Sequence, residues 1–208
     1  FQKKKLKTAV NRAQSAADKI ELLKKGTEKS SLEISELTRH IPLAELSSEY
    51  KEKLDNLSRR FEFLEALGMA LSPTDYINRG NALFAKQQFR LAEEAYNKAL
   101  ELEPNNFYAM VNKASALSRQ GNFEDSLALS KKAHEIRPFD LLNSNIMAVN
   151  LLKMGRPQES LEISTKILEK RSRESSALYN LACAYAQMEI KDKALEFLGK
   201  AISISGKY

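Results

Sequence analysis

Cys183, His40 and His134 are the side chains best equipped for nucleophilic or general-base chemistry in this chain, and their placement argues against that use. Both histidines are remote in sequence from the single cysteine, and no local nucleophile signature surrounds it, so Cys183 reads as a small buried residue. His134 follows Ala133 near the end of a helical pattern, where it packs or caps. One cysteine and two histidines cannot build a disulfide framework or a zinc site based on several thiolates. Gly26-Thr27-Glu28-Lys29-Ser30 has some letters of a phosphate loop but lacks its leading glycine and its Gly-Lys-Ser/Thr junction. Glu93-Glu94, Glu101 and Glu103 fall on outward helix faces. The chain is therefore expected to be no enzyme, with no cofactor and no metal. What remains is amide chemistry: Asn78, Asn112 and Asn180 can each accept from a peptide N–H and donate to a peptide C=O.

The elements that must position those amides are helices. Charged residues at 29% and hydrophobic ones at 43% fit a packed chain rather than a disordered one, and seven glycines and five prolines in 208 residues are too few for a β-sandwich or barrel. From Pro73 onward the sequence repeats every 34 residues, in units 73–106, 107–140, 141–174 and 175–208. Small residues recur at the eighth place (Gly80, Ala114, Ala148, Ala182) and the twentieth (Ala92, Ser126, Ser160, Ala194). Large ones recur at the eleventh (Leu83, Leu117, Leu151, Tyr185). Small places let the two helices of a hairpin approach closely, and the large residue fills the space beside them. Gln87-Gln88, Gly121-Asn122 and Gly155-Arg156 break the first three units into two helices each, and Pro104 and Pro138 close the second helix of the first two. The third unit departs most, with Ser144 in place of a bulky residue, Pro157 in place of an aromatic, and Ser172 in place of proline.

Segments such as Tyr76-Ile77-Asn78-Arg79-Gly80-Asn81-Ala82-Leu83 and Leu178-Tyr179-Asn180-Leu181-Ala182-Cys183-Ala184-Tyr185 resemble the tetratricopeptide repeat family, and the resemblance covers residues 73–208. It implies an all-α, right-handed superhelix of helical hairpins whose first helices line a concave groove for a peptide or helix of another protein. Carried over place by place, it gives a groove made by Ile77, Asn78, Asn81, Tyr108, Val111, Asn112, Ser115, Arg119, Asn145, Ile146, Val149, Lys153, Tyr179 and Asn180. Asn78, Asn112 and Asn180 share the sixth place, where they either hold a ligand backbone or simply keep the family's usual residue. Some members grip a terminal carboxylate with a basic clamp. Ile77, Leu142 and Ile146 stand where that clamp needs cations, so the wall better suits an amphipathic helix or an extended segment with apolar anchors. The expected function is that of a non-catalytic adaptor. The alternatives are a homo-oligomerisation module and a regulatory or tethering part of a larger protein.

Residues 1–72 are a different object. Leu6, Val10, Ala13, Ala17, Ile20 and Leu23 form one stripe, and Leu43, Leu46, Tyr50, Leu54, Leu57, Phe61, Leu64, Gly68 and Leu71 form another at a mean spacing near a heptad's, which predicts long coiled-coil-like helices. Gly26 is expected to end the first helix. Ser30-Ser31-Leu32-Glu33 should then cap a short second helix that stops before Pro42, and the boundary with the repeats falls at Leu71-Ser72-Pro73-Thr74-Asp75.

Residues 1–25 carry eight Lys/Arg against two acids and so account for the chain's net charge of +6. Such a run is a solvated helix face or a salt-sensitive contact for an anionic membrane surface, with nucleic acid the less expected partner. Phe1-Gln2-Lys3-Lys4-Lys5 reads either as the cytoplasmic flank of a membrane tether preceding Phe1 or as a cut in a longer chain. The cytoplasm is the expected compartment. Leu195, Leu198 and Ile202 in the last helix have no later helix to cover them, so a homodimer is expected alongside the protein partner.

Overall fold

The computed structural model describes residues 2–38 and 46–206. Ten helices, and no strand, are present among the described residues. The first two are α1 (Gln2–Thr38) and α2 (Ser48–Ala66). The remaining eight run α3 (Pro73–Ala85), α4 (Phe89–Leu102), α5 (Phe107–Gln120), α6 (Phe123–Ile136), α7 (Leu141–Lys153), α8 (Pro157–Lys170), α9 (Ser175–Gln187) and α10 (Lys191–Ser205). Consecutive helices pack antiparallel as hairpins, and α3, α5, α7 and α9 also touch one another in succession, which builds a right-handed solenoid with these four on its concave side.

Side-chain caps start three of the four concave helices. Ser72 and Asp75 form a reciprocal capping box at α3, with the Asp75 N–H donating to Ser72 Oγ at 3.2 Å and the Ser72 N–H to Asp75 Oδ2 at 3.0 Å. Asn106 and Asp140 accept from the third residue of α5 and α7. The turn inside each hairpin uses a left-handed residue at the same place, namely Gln87, Gly121, Gly155 and Glu189, with φ between 61° and 87°. Glycine takes that conformation without strain, whereas Gln87 and Glu189 hold it at a cost.

The hairpins close on complementary sizes. In the first, Gly80 lies against the ring of the fully buried Tyr96, whose hydroxyl donates to Asn81 Oδ1 at 2.8 Å. The second and third carry Ala114 and Ala148 at the place of that glycine and Ser130 and Ser164 at the place of the tyrosine, so only the first hairpin fills this crossing with a ring.

Two sequence-based expectations for residues 1–72 are corrected. α1 does not end at Gly26 and no second helix starts at Ser30: a single helix of 37 residues runs through both. The hydroxyls that could have capped a new helix turn back instead, with Thr27 Oγ1 donating to the Leu23 carbonyl at 2.7 Å and Ser30 Oγ to the Gly26 carbonyl at 3.0 Å. The expected stop at Pro42 lies outside the described residues, as do Leu43 and His40. The second stripe is not one helix to Leu71 either. Ser47 caps α2, and Gly68, at φ 73°, ends it with its N–H on the Glu65 carbonyl and the Met69 N–H on that of Leu64.

α1 packs only through its second half. Leu6 and Val10 are 66% and 58% exposed, while Thr27, Ser31 and Ile34 are buried against α2 and α3. Leu54, Leu57, Phe61 and Leu64 of α2 join Ile34, Ile77, Phe84 and Tyr96 in one buried cluster that runs from α1 into the first hairpin.

Glu65 ties α2 to that hairpin on the surface. Its carboxylate accepts from the Tyr76 hydroxyl at 3.0 Å and from Lys98 Nζ at 3.3 Å, and pairs with Arg79. Against the cost of partial burial, these partners hold Glu65 below its ordinary pKa of 4.5. A carboxylate depressed in the folded state contributes stability that is complete above its unfolded pKa and vanishes as pH falls through the folded one. We expect Glu65→Gln to cost about 1 kcal/mol at pH 7. In urea titrations at a series of pH values, the gap between variant and wild type should close as pH drops below about 4.5. A gap that is constant with pH would remove the ionised carboxylate from the account.

A concave groove capped by the first helix

The sequence-derived groove residues fall on α3, α5, α7 and α9, and the helices bring them into one curved surface with a closed end and an open end. The closed end is made by α1. Asn78 is fully buried there, with its Nδ2 donating to the Ser31 carbonyl at 2.8 Å and to Ser31 Oγ at 2.9 Å, while Ser31 Oγ donates to Asp75 Oδ1 at 2.6 Å. A side chain of the array thus holds the backbone of α1, a helix of the same chain that packs against α2 and α3 at this end. Ile77 and Asn81 are buried beside it, and only a cleft of about 20 Å³ remains among Ser35, Ile77, Tyr108, Val111 and Leu142.

The other amides link neighbouring hairpins. Asn112 Nδ2 donates to Asn81 Oδ1 at 2.9 Å, Asn145 Nδ2 to Ser176 Oγ at 2.8 Å, and Asn180 Nδ2 to Asn145 Oδ1 at 3.3 Å. Each such amide commits one N–H to the array and keeps a second, so Asn112, half-buried, still presents donor capacity to the groove. A further network was not legible as such. Ser118 Oγ donates to Asn150 Oδ1 at 2.6 Å, and Asn150 Nδ2 donates to Ser126 Oγ at 2.7 Å, joining α5, α7 and α6.

Toward the open end, Ser115 and Ile146 are half-buried, Val149 is 37% exposed, and Tyr179 is 55% exposed. Lys153 is exposed and pairs with no carboxylate among the described residues. Arg119 leans away from this wall, its guanidinium 5.5 Å from the Phe89 ring centre. Cys183 is half-buried one turn from Tyr179, and the neighbouring thiol pushes the Tyr179 phenol up. No cluster of three or more His, Cys, Asp and Glu converges among the described residues, and none of the described helices is long and apolar enough to cross a membrane.

A solenoid of antiparallel hairpins at a 34-residue period defines a repeat protein of the protein-interaction class. Family models for the tetratricopeptide repeat match residues 75–106, 95–128 and 175–208, so these stretches of the chain carry repeats of that family. Among curated relatives it is 32% identical over 129 residues to Protein STIP1 homolog of Dictyostelium discoideum, covering 60% of this chain and 22% of that protein. It is 27% identical over 126 residues to Superkiller protein 3 of Saccharomyces cerevisiae, covering 61% of this chain and 9% of that protein. The chain thus spans under a quarter of the length of either.

Solved structures share the fold at low identity. MamA 41-end from Desulfovibrio magneticus RS-1 aligns with TM-score 0.64 at 18% identity over 90% of this chain and 96% of that one. YrrB, described as a TPR protein with an unusual peptide-binding site, aligns with TM-score 0.63 at 22% identity over 86% and 93%.

Proposed function

We propose that the chain is a non-catalytic adaptor that receives a segment of another protein, an amphipathic helix or an extended strand with apolar anchors, in the open half of its concave groove. In this reading residues 73–208 supply four units of groove and residues 1–72 support and close one end. The observation that carries it is the α1 contact: Asn78, at the sixth place of the first concave helix, holds the backbone carbonyl of Ser31 in another helix, which is the bond a ligand backbone would make to the same place in later units. Asn112 and Asn180 occupy that place in later units beside the exposed Val149 and Tyr179. Lys153 at the rim favours a segment with an acidic residue beside its anchors. The YrrB likeness supports a peptide as the ligand class for such a fold.

The test is selection of binding peptides from a random library on the full chain, followed by titration. Tyr179→Ala combined with Val149→Asp should weaken the selected peptides by more than tenfold, as expected for loss of an aromatic anchor, with melting unchanged because both side chains are exposed. Peptides that bind the double variant as tightly as wild type would place the ligand elsewhere.

A second reading, self-association, is favoured by Leu195 and Ile202 of α10, which are 68% and 62% exposed on the last hairpin. The sedimentation mass of the same sample separates the two. The basic segment of residues 1–25 would add an anionic membrane contact in a tethered form of the protein, and the cytoplasm is the compartment this reading assumes.

A further inference from the structure

The convex side of the array contains a cavity of about 550 Å³ between α6, α7 and α8, remote from the concave groove. Its walls are apolar: Phe139, Leu141, Met147, Ile163 and Ile167. Its polar groups are all basic or neutral. Lys166, Lys170 and Arg171 line it, none pairs with a carboxylate among the described residues, and no Asp or Glu contributes to the wall. His134 adds Nδ1, which is buried without a hydrogen-bond partner. Phe139 stands at the mouth with φ 70°, 55% exposed, with Lys170 Nζ 3.1 Å from its ring centre and the His134 ring edge-on at 6.0 Å.

The repeat supplies its own control. Thirty-four residues earlier, the same corner is occupied by Leu100, Phe107 and Met110, and the Arg137 guanidinium lies 4.8 Å from the centres of both the Phe107 and Tyr108 rings. Thirty-four residues later, Leu168, half-buried, and Leu178, buried, stand at the places of Leu100 and Met110. Only the middle junction places Ser144 where Met110 and Leu178 stand, and His134 where Leu100 and Leu168 stand. The exchange of bulk for polarity at two facing places opens the cavity, and Arg171, the counterpart of Arg137, lines it. A space of this volume with apolar walls and a few convergent polar groups has the form of a small-molecule site.

We propose that this cavity binds a small amphiphilic anion, a free medium-chain carboxylate, with its hydrocarbon body among Phe139, Met147 and Ile163 and its carboxylate held by Lys166, Lys170 and Arg171. The charge at the rim selects the sign of the head group, and the dry wall selects its tail.

Calorimetric titration of the full chain with decanoate, below its micelle concentration, should show one saturable site, with decanol at least tenfold weaker. Ser144→Met, which restores the side chain of the preceding unit, should abolish that binding while circular dichroism and melting show an intact fold. Lys166→Gln with Lys170→Gln, both at the cavity rim, should weaken decanoate about tenfold and leave decanol unchanged. The groove variant Tyr179→Ala with Val149→Asp should bind decanoate as wild type does, so the two sites fail independently. Absence of saturable decanoate binding, equal affinity for decanol, or undiminished binding by Ser144→Met would overturn the proposal. So would binding of a peptide ending in phenylalanine carboxylate where decanoate fails, which would assign the cavity to a protein tail.

Discussion

Gly80→Ala is expected to cost about 2 to 3 kcal/mol of folding free energy, far more than an alanine in a helix normally would. A methyl group on Gly80 would meet Tyr96 Cε1 at 2.3 Å and Cδ1 at 2.6 Å. The ring has nowhere to go: Tyr96 is fully buried, and moving it would strain or break the hydroxyl bond to Asn81 Oδ1, which also accepts from Asn112 of the next unit. Intrinsic propensity alone favours alanine over glycine by about 1 kcal/mol, so the sign of the result reports the clash. The fourth unit shows the compatible alternative, Ala182 with Leu198. Combining Gly80→Ala with Tyr96→Leu should therefore cost at least 1 kcal/mol less than the sum of the single changes in urea denaturation. Additive costs would show that the two side chains do not compete for the same space.

Phe61→Ala is expected to be costlier still, about 3 to 4 kcal/mol, because a fully buried aromatic is removed from the cluster that also holds Leu54, Leu57, Ile77 and Tyr96. The diagnostic is where protection is lost. One buried cluster extends from Ile34 of α1 through α2 into α3 and α4, so hydrogen exchange in residues 48–102 should accelerate as a block. If α2 lost protection while α3 and α4 kept theirs, the two regions would be separate cores that merely touch.

Repetition made the array legible. The 34-residue period places the starts of α3, α5, α7 and α9 at Pro73, Phe107, Leu141 and Ser175, because a recurring unit averages out the ambiguity of any one helix signal. Residues 1–72 have no second copy of themselves to consult. Gly26 and Ser30-Ser31 carry the letters of a stop and a start, but whether a serine caps a new helix or bonds back to the carbonyl four residues before depends on what buries it. Here Ser31 is pulled into the Asp75 and Asn78 contact, a partnership 44 and 47 residues away that no local pattern encodes. For the same reason the helical period gives Asn78 a place on the concave face but not its occupant. Ser144 and Ser172 stood out as departures from the repeat. The cavity that Ser144 lines depends also on His134 of the neighbouring hairpin, a pairing that the place of Ser144 in its own unit does not encode.

The junction between the second and third hairpins has mechanical consequences. At its buried centre, two short bonds meet at Asn150, one donated by Ser118 and one donated to Ser126, and these resist separation over tenths of an ångström. On its convex side the cavity leaves facing atoms with few partners at contact distance, so little dispersion energy opposes their relative motion. A joint that is stiff at its centre and slack along one edge is a hinge, with its axis near Asn150. Under load the superhelix would change pitch at this one seam, while the junctions packed by Met110 and Leu178 carried force as rigid links.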